Sequence, residues 1–84
     1  MIIFRCYMNS KLLGKKLRII RQMKGISQDA IAVKLNISQV AYSKMENGII
    51  IITDERLTVI LRELNISIDT LRSFDLEEIF KERS

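Results

Sequence analysis

The stretch GISQDAIAVKLNISQVAYSKMENG, residues 25–48, contains two short helical patterns separated by a turn. Ser27 and Ser38 each precede one pattern, and a serine hydroxyl in that position can accept a hydrogen bond from a free N–H of the first helical turn. Asn36 lies between the patterns, and asparagine tolerates the left-handed conformation that ends a helix. We therefore predict two helices, Gln28–Leu35 and Gln39–Asn47.

The two predicted helices each have an apolar inner face. Ile31, Ala32 and Leu35 form that of the first helix, and Tyr42 and Met45 form that of the second. The small Ala32 suits a point where two helices cross closely. The outer face of the second helix is formed by Gln39, Val40, Ser43 and Lys44. Two helices of about two turns, joined by three residues, form a helix-turn-helix unit.

Further helical patterns lie on both sides of this unit. A stripe of Leu13, Leu17 and Ile20 predicts a helix over Leu12–Lys24 that ends at Gly25. After Gly48, a helix beginning at Thr53 or Asp54 buries Leu57, Ile60, Leu61 and Leu64. Ser67 caps a short helix, Ile68–Ser73, with Leu71 inward. A last amphipathic segment from Asp75 includes Leu76, Ile79 and Phe80.

Composition indicates one all-α domain. The chain has 84 residues, no proline and three glycines, and its hydrophobic fraction of 48% suits packed helices. Cys6 is the single cysteine and there is no histidine, so we expect no intramolecular disulfide, no metal site, no cofactor and a reducing cytoplasm. No apolar run reaches the roughly 20 residues that span a bilayer, so we expect a soluble protein.

The charges are distributed unevenly along the chain. Nine of the 14 basic residues precede Thr53, but only two of the ten acidic residues do. A strongly basic first half is typical of a protein that binds a polyanion such as nucleic acid. A solvated surface helix would explain the same pattern about equally well.

Several pieces of the sequence, in order and in spacing, resemble the Cro and phage-repressor (Xre-like) helix-turn-helix family. The pieces are GKKLR at 14–18, GISQ at 25–28, IA at 31–32, LNIS at 35–38, YS at 42–43, MENG at 45–48 and LNIS at 64–67. The resemblance implies a compact five-helix fold like that of lambda repressor. It also implies DNA binding, with the helix that follows Ser38 in the major groove.

The resemblance assigns DNA contacts residue by residue. The positions that reach base edges are Gln39, Val40 and Lys44. By base-edge chemistry, Gln39 suits adenine, Lys44 suits guanine and Val40 suits a thymine methyl group. The positions expected to contact phosphates are Gln28, Ser38, Ser43 and Asn47. The family also pairs an arginine late in the first helix with a glutamate in the recognition helix, here Arg21 and Glu46.

Two segments depart from the family pattern. Ile49–Ile52 replaces a connection that is usually polar, so these side chains are either buried or an interaction liability. Residues 1–11 form an N-terminal extension in which apolar residues alternate as in a strand. This extension either pairs with the isoleucine run or is frayed. We predict a DNA-binding domain over 12–73 and a helical tail over 74–84.

We expect a sequence-specific regulator of repressor or controller type that binds double-stranded DNA as a homodimer on a palindromic operator. The dimer contact is expected in the fifth helix and the tail, through Leu76, Ile79 or Phe80, with the isoleucine run as a second candidate. The alternative is an antitoxin or protein-interaction module with the same fold. We find no catalytic constellation, so an enzyme is not expected.

Overall fold

The computed structural model describes residues 10–74, which form five α-helices and no strand. In chain order the helices are α1 (Ser10–Met23), α2 (Gln28–Leu35), α3 (Gln39–Glu46), α4 (Asp54–Leu64) and α5 (Ile68–Ser73). The all-α prediction is confirmed, and the five helices are those of a lambda-repressor-like domain. None of the described helices combines the length and the apolar character that crossing a membrane requires.

Local hydrogen bonds fix where α2 to α5 begin. In each, the hydroxyl oxygen of the N-cap residue accepts a hydrogen bond from the backbone N–H three residues later, at 3.0 to 3.2 Å. These caps are Ser27, Ser38, Thr53 and Ser67. Such a cap typically contributes about 1 kcal/mol. The left-handed conformation predicted for Asn36 is also present, with φ 59°.

The core lies between the helices and contains the predicted inward residues of α1 to α5 except Leu35, which is half-buried and packs against it. Tyr42 and Met45 of α3 are buried and belong to one hydrophobic cluster with residues from the other four helices. Those other helical members are Leu13, Leu17, Ile20, Ile31, Ala32, Leu57, Ile60, Leu61, Leu64 and Leu71. Because α3 contributes only one face to this core, its opposite face is left at the surface.

Two glycines bring α1 and the end of α3 into backbone contact. A Cβ atom at Gly14 would lie 2.7 Å from the carbonyl oxygen of Met45 and closer still to that of Glu46. A Cβ atom at Gly48 would lie 2.9 Å from the Cα atom of Lys11. Only residues without a Cβ atom allow so close an approach. The position of α3 is therefore fixed by the backbone of α1.

Some helix boundaries differ from the predictions. The first helix begins at Ser10 rather than Leu12, because the backbone at Lys11 packs on Gly48 and so belongs to the folded domain. It ends at Met23 rather than Lys24. The third helix ends at Glu46, and Asn47 is its C-cap rather than its last residue.

The isoleucine run is not a strand in the structure. Ile52 is buried and Ile50 packs against the core, whereas Ile49 and Ile51 are 69% and 61% exposed. The run therefore divides between the core and the surface. The predicted N-terminal strand and the helical tail with Leu76, Ile79 and Phe80 lie outside the described residues.

Candidate nucleic-acid interface

The surface of α3 opposite the core presents the three residues expected to read bases. Gln39 and Lys44 are exposed, and Val40 is 65% exposed. Offsets of four and five residues from Lys44 keep all three on about one half of the helix surface. The protein therefore presents an amide, an aliphatic group and an ammonium on one exposed helix face.

Three of the residues expected to contact phosphates lie at the two ends and in the middle of α3. Ser38 is exposed and caps α3; its oxygen accepts the N–H of Ala41 at 3.1 Å, which leaves its O–H free to donate. Ser43 is half-buried in the middle of α3, and Asn47 is exposed at its C-terminal end. Each side chain retains a hydrogen-bond donor, as contact with a phosphate oxygen requires.

Gln28 joins the first turn of α2 to α3 through two hydrogen bonds. Its amide nitrogen donates to Glu46 Oε1 at 3.0 Å, and its amide oxygen accepts a bond from the Gln39 amide nitrogen at 3.4 Å. The Gln28 side chain is therefore held on both sides. It in turn holds the Gln39 amide at the exposed start of α3.

Behind this surface, Arg21 and Glu46 form a buried ion pair. Arg21 Nε lies 2.7 Å from Glu46 Oε2, and the second guanidinium nitrogen lies 3.2 Å from Oε1. The remaining guanidinium nitrogen donates to the carbonyl oxygen of Ile26 at 2.7 Å. The Glu46 side chain is fully buried, at 0% exposure. The bidentate geometry adds direction to the charge attraction and ties α1 to the end of α3.

Burial and hydrogen bonding act in opposite directions on the Glu46 carboxylate. Burial alone would raise its pKa, but hydrogen bonds from Arg21 and Gln28 outweigh burial and hold the pKa below its ordinary value of 4.5. The hydrogen bond to Glu46 raises the pKa of Arg21. Both groups are therefore charged throughout the physiological pH range.

Tyr42 completes the environment of this ion pair. Its hydroxyl is buried, and no residue within the described range gives it a hydrogen bond of good geometry. Burial raises its pKa far above the ordinary value of 10.0, and the nearby Glu46 charge raises it further. Tyr42 therefore stays neutral and serves the core rather than the surface.

Two interactions of basic α1 residues were not predicted from the sequence. The Lys16 ammonium is buried and donates to the carbonyl oxygens of Leu71 and Arg72 at the end of α5, both at 3.2 Å. Arg18 donates to the amide oxygen of Asn47 and lies 3.5 Å from Glu46 Oε1. Lys16 lies on the same helix face as Leu13, Leu17 and Ile20, and that position was the available signal for its burial.

The described residues contain no group of three acidic or cysteine side chains able to hold a metal ion. Their surface chemistry is that of hydrogen-bond donors and cations around an exposed helix. Such a surface complements the phosphates and base edges of a nucleic acid.

Comparison with known proteins identifies the family. A family model described as Helix-turn-helix (HTH_3) matches residues 17–71, which is well over half of the chain and extends from α1 to α5. No curated protein and no solved structure matched the chain. The match includes both helices of the unit and the ion pair behind them. The chain therefore belongs to the Cro-type, Xre-like helix-turn-helix family of DNA-binding regulators.

Proposed function

We propose that this protein is a sequence-specific regulator that inserts α3 into the major groove of double-stranded DNA. The observation that carries the proposal is the outer face of α3, where Gln39, Val40 and Lys44 are exposed together. The helix that presents them, α3, is held in place by its backbone contact with Gly14 and by the buried side chain of Glu46. A rigid helix with exposed polar side chains fits the major groove of DNA, which is about 12 Å wide.

The roles of individual residues follow from their chemistry. A glutamine amide can form two hydrogen bonds with adenine, a lysine donates to guanine, and an aliphatic side chain contacts the thymine methyl group. We assign these roles to Gln39, Lys44 and Val40, respectively. The phosphate contacts are assigned to Gln28, Ser38, Ser43 and Asn47, since each can offer a donor near an end or side of α3.

The regulator acts as a homodimer on a palindromic operator in this proposal. One helix-turn-helix unit covers few base pairs, whereas two units reach half-sites about 34 Å apart. In this proposal the DNA-binding domain is the predicted unit 12–73 together with Ser10 and Lys11, which belong to α1. The flanking segments 1–9 and 74–84 serve assembly, with α5 and residues 74–84 as the dimer contact. Sedimentation equilibrium with and without duplex checks this, and a monomer under both conditions at high protein concentration would contradict it.

Selection of binding sites from random duplexes, repeated across salt concentrations, tests the main proposal. We expect one preferred sequence with two inverted half-sites. Gln39→Ala should cost about 1–3 kcal/mol on that sequence and relax the preference at one base position. Gln28→Ala should weaken both preferred and unrelated duplexes. An equal loss on every duplex for Gln39→Ala would show that Gln39 reads no base.

A second candidate function is that of an antitoxin or protein-interaction module with the same fold. The exposure of Ile49 and Ile51 favours it, since both apolar side chains lie at the surface beside the end of α3. Under this alternative, Ile49→Ser with Ile51→Ser abolishes recovery of a specific protein partner. Under the main proposal the same variant keeps its DNA preference.

A further inference from the structure

We propose that the exposed side of α1 is a second phosphate-binding surface, which contacts the backbone of the same duplex that α3 enters. This surface, the α1 basic row, consists of Lys11, Lys15 and Arg18. The inference rests on the proposed function, and it adds a contact surface that extends beyond the helix-turn-helix unit itself.

The α1 basic row lies beside the end of the recognition helix. Its three residues follow an i, i+4, i+7 spacing, which places them on one side of α1. With Asn47 and Glu46 of the α3 end, they line one shallow groove. The backbone contact between Gly48 and Lys11 fixes the distance between the row and α3. A duplex that receives α3 therefore brings its backbone near this side of α1.

The two lysine charges of this row are available for a ligand. Lys11 and Lys15 are exposed, and neither has a carboxylate partner among residues 10–74. By contrast, the Lys16 and Arg21 charges of the same helix are buried and engaged in internal hydrogen bonds. Within the described part of the chain, Glu46 is the one acidic residue lining the groove, and its carboxylate is turned inward and neutralised by Arg21.

Arg18 also orients Asn47 toward an anion. A guanidinium has only donors, so the Asn47 amide must turn its oxygen toward Arg18. The amide NH2 group then points away from Arg18, and it is a donor suited to a phosphate oxygen. Arg18 is therefore both a cation of the row and a positioning residue for Asn47.

The α1 basic row is tested by removing its lysine charges and measuring DNA affinity at several salt concentrations. Lys11→Gln with Lys15→Gln should make the negative slope of log K against log salt shallower by about 1.8, since each phosphate contact contributes about −0.9. The base preference should stay unchanged. The matched control is Lys34→Gln with Arg62→Gln, which removes two exposed cations from the ends of α2 and α4 and should change the slope by less than half as much. Equal slopes for the two variants would overturn the inference.

Asn47→Asp supplies a second test. It keeps the acceptor for Arg18 and removes the outward donor, so it should weaken binding to every duplex while the melting temperature stays unchanged. Unchanged affinity with Asn47→Asp would contradict the role of the amide. If the unaltered protein bound no duplex at any salt concentration, the proposed function itself would fail, and this inference with it.

Discussion

Arg21 and Glu46, separated by 25 residues along the chain, meet in a bidentate ion pair with Nε and Oε2 at 2.7 Å and a carboxylate with no solvent exposure. The same carboxylate accepts a hydrogen bond from Gln28, which accepts one from Gln39. One buried charge therefore connects α1, α2 and the exposed start of α3. The stability of the domain and the geometry of its outer face depend on the same group.

Arg21→Ala should destabilise the protein by about 3–5 kcal/mol, because it leaves the Glu46 carboxylate buried without its main partner. Arg18→Ala is the matched control. Arg18 contacts the same carboxylate from the surface, where its side chain is 36% exposed, and its removal should cost at most about 1 kcal/mol. Urea unfolding measures both values. If the two variants lost similar amounts of unfolding free energy, the Arg21–Glu46 pair would not be the more stabilising of the two contacts with this carboxylate.

Acid should remove the contribution of Glu46. The folded protein holds the Glu46 pKa below 4.5, and unfolding returns it to that value. The unfolded chain therefore binds a proton first as the pH falls, so the stabilisation is complete above 4.5 and is lost between 4.5 and the lower folded pKa. The difference in unfolding free energy between the unaltered protein and Glu46→Gln should be constant near neutral pH and decrease below 4.5. If the unfolding free energies of the two proteins differed by the same amount at every pH, the lowered pKa of Glu46 would be contradicted.

Gly14→Ala should destabilise the domain by about 1–3 kcal/mol, although alanine is the better helix former. The new methyl group would overlap the carbonyl oxygens of Met45 and Glu46, which are backbone atoms and cannot turn aside. DNA affinity should also fall, since the end of α3 must move. Thermal unfolding measures the loss of stability. The control is Gln22→Ala on the exposed side of α1, which should change the unfolding free energy by no more than about 0.5 kcal/mol. A more stable Gly14→Ala protein would refute the close contact.

Gln28 and Gln39 should be coupled in DNA binding, because one amide holds the other. Gln28→Ala should then lower the affinity for the preferred duplex in part because it releases the Gln39 amide. A double-mutant cycle with both alanine variants should give a coupling of at least about 0.5 kcal/mol on that duplex. On an unrelated duplex, where Gln39 reads no base, the coupling should vanish. Additive losses on the preferred duplex would show that the two side chains act independently.

The elements of the fold could be predicted because their signals are local. Ser27, Ser38 and Ser67 cap helices through bonds that span three residues, and the apolar stripes follow directly from helical spacing. The outer face of α3 followed from helical spacing. Its DNA contacts and the Arg21–Glu46 pair were expected from the resemblance, since the pair joins positions 25 residues apart. Local chemistry alone does not identify such a partner.

The features that were missed depend on distant contacts. Lys16 binds carbonyls 55 and 56 residues away, and Arg18 binds an amide 29 residues away. Gly14 interrupts an otherwise strong helical pattern, which signals a close approach but does not name the partner. The isoleucine run has a composition typical of a strand, yet no described strand pairs with it, so packing against the core decides its conformation.

The Lys16 ammonium has a mechanical consequence. By binding two carbonyl groups in the last turn of α5 from within α1, it fixes the C-terminal end of α5 relative to α1. Because the backbone of α1 also contacts the end of α3, the ends of α5 and of the recognition helix are held in one rigid unit. In an assembly built through the C-terminal segment, the separation of two recognition helices would follow from the length and direction of that segment, and the domain itself would act as a rigid arm.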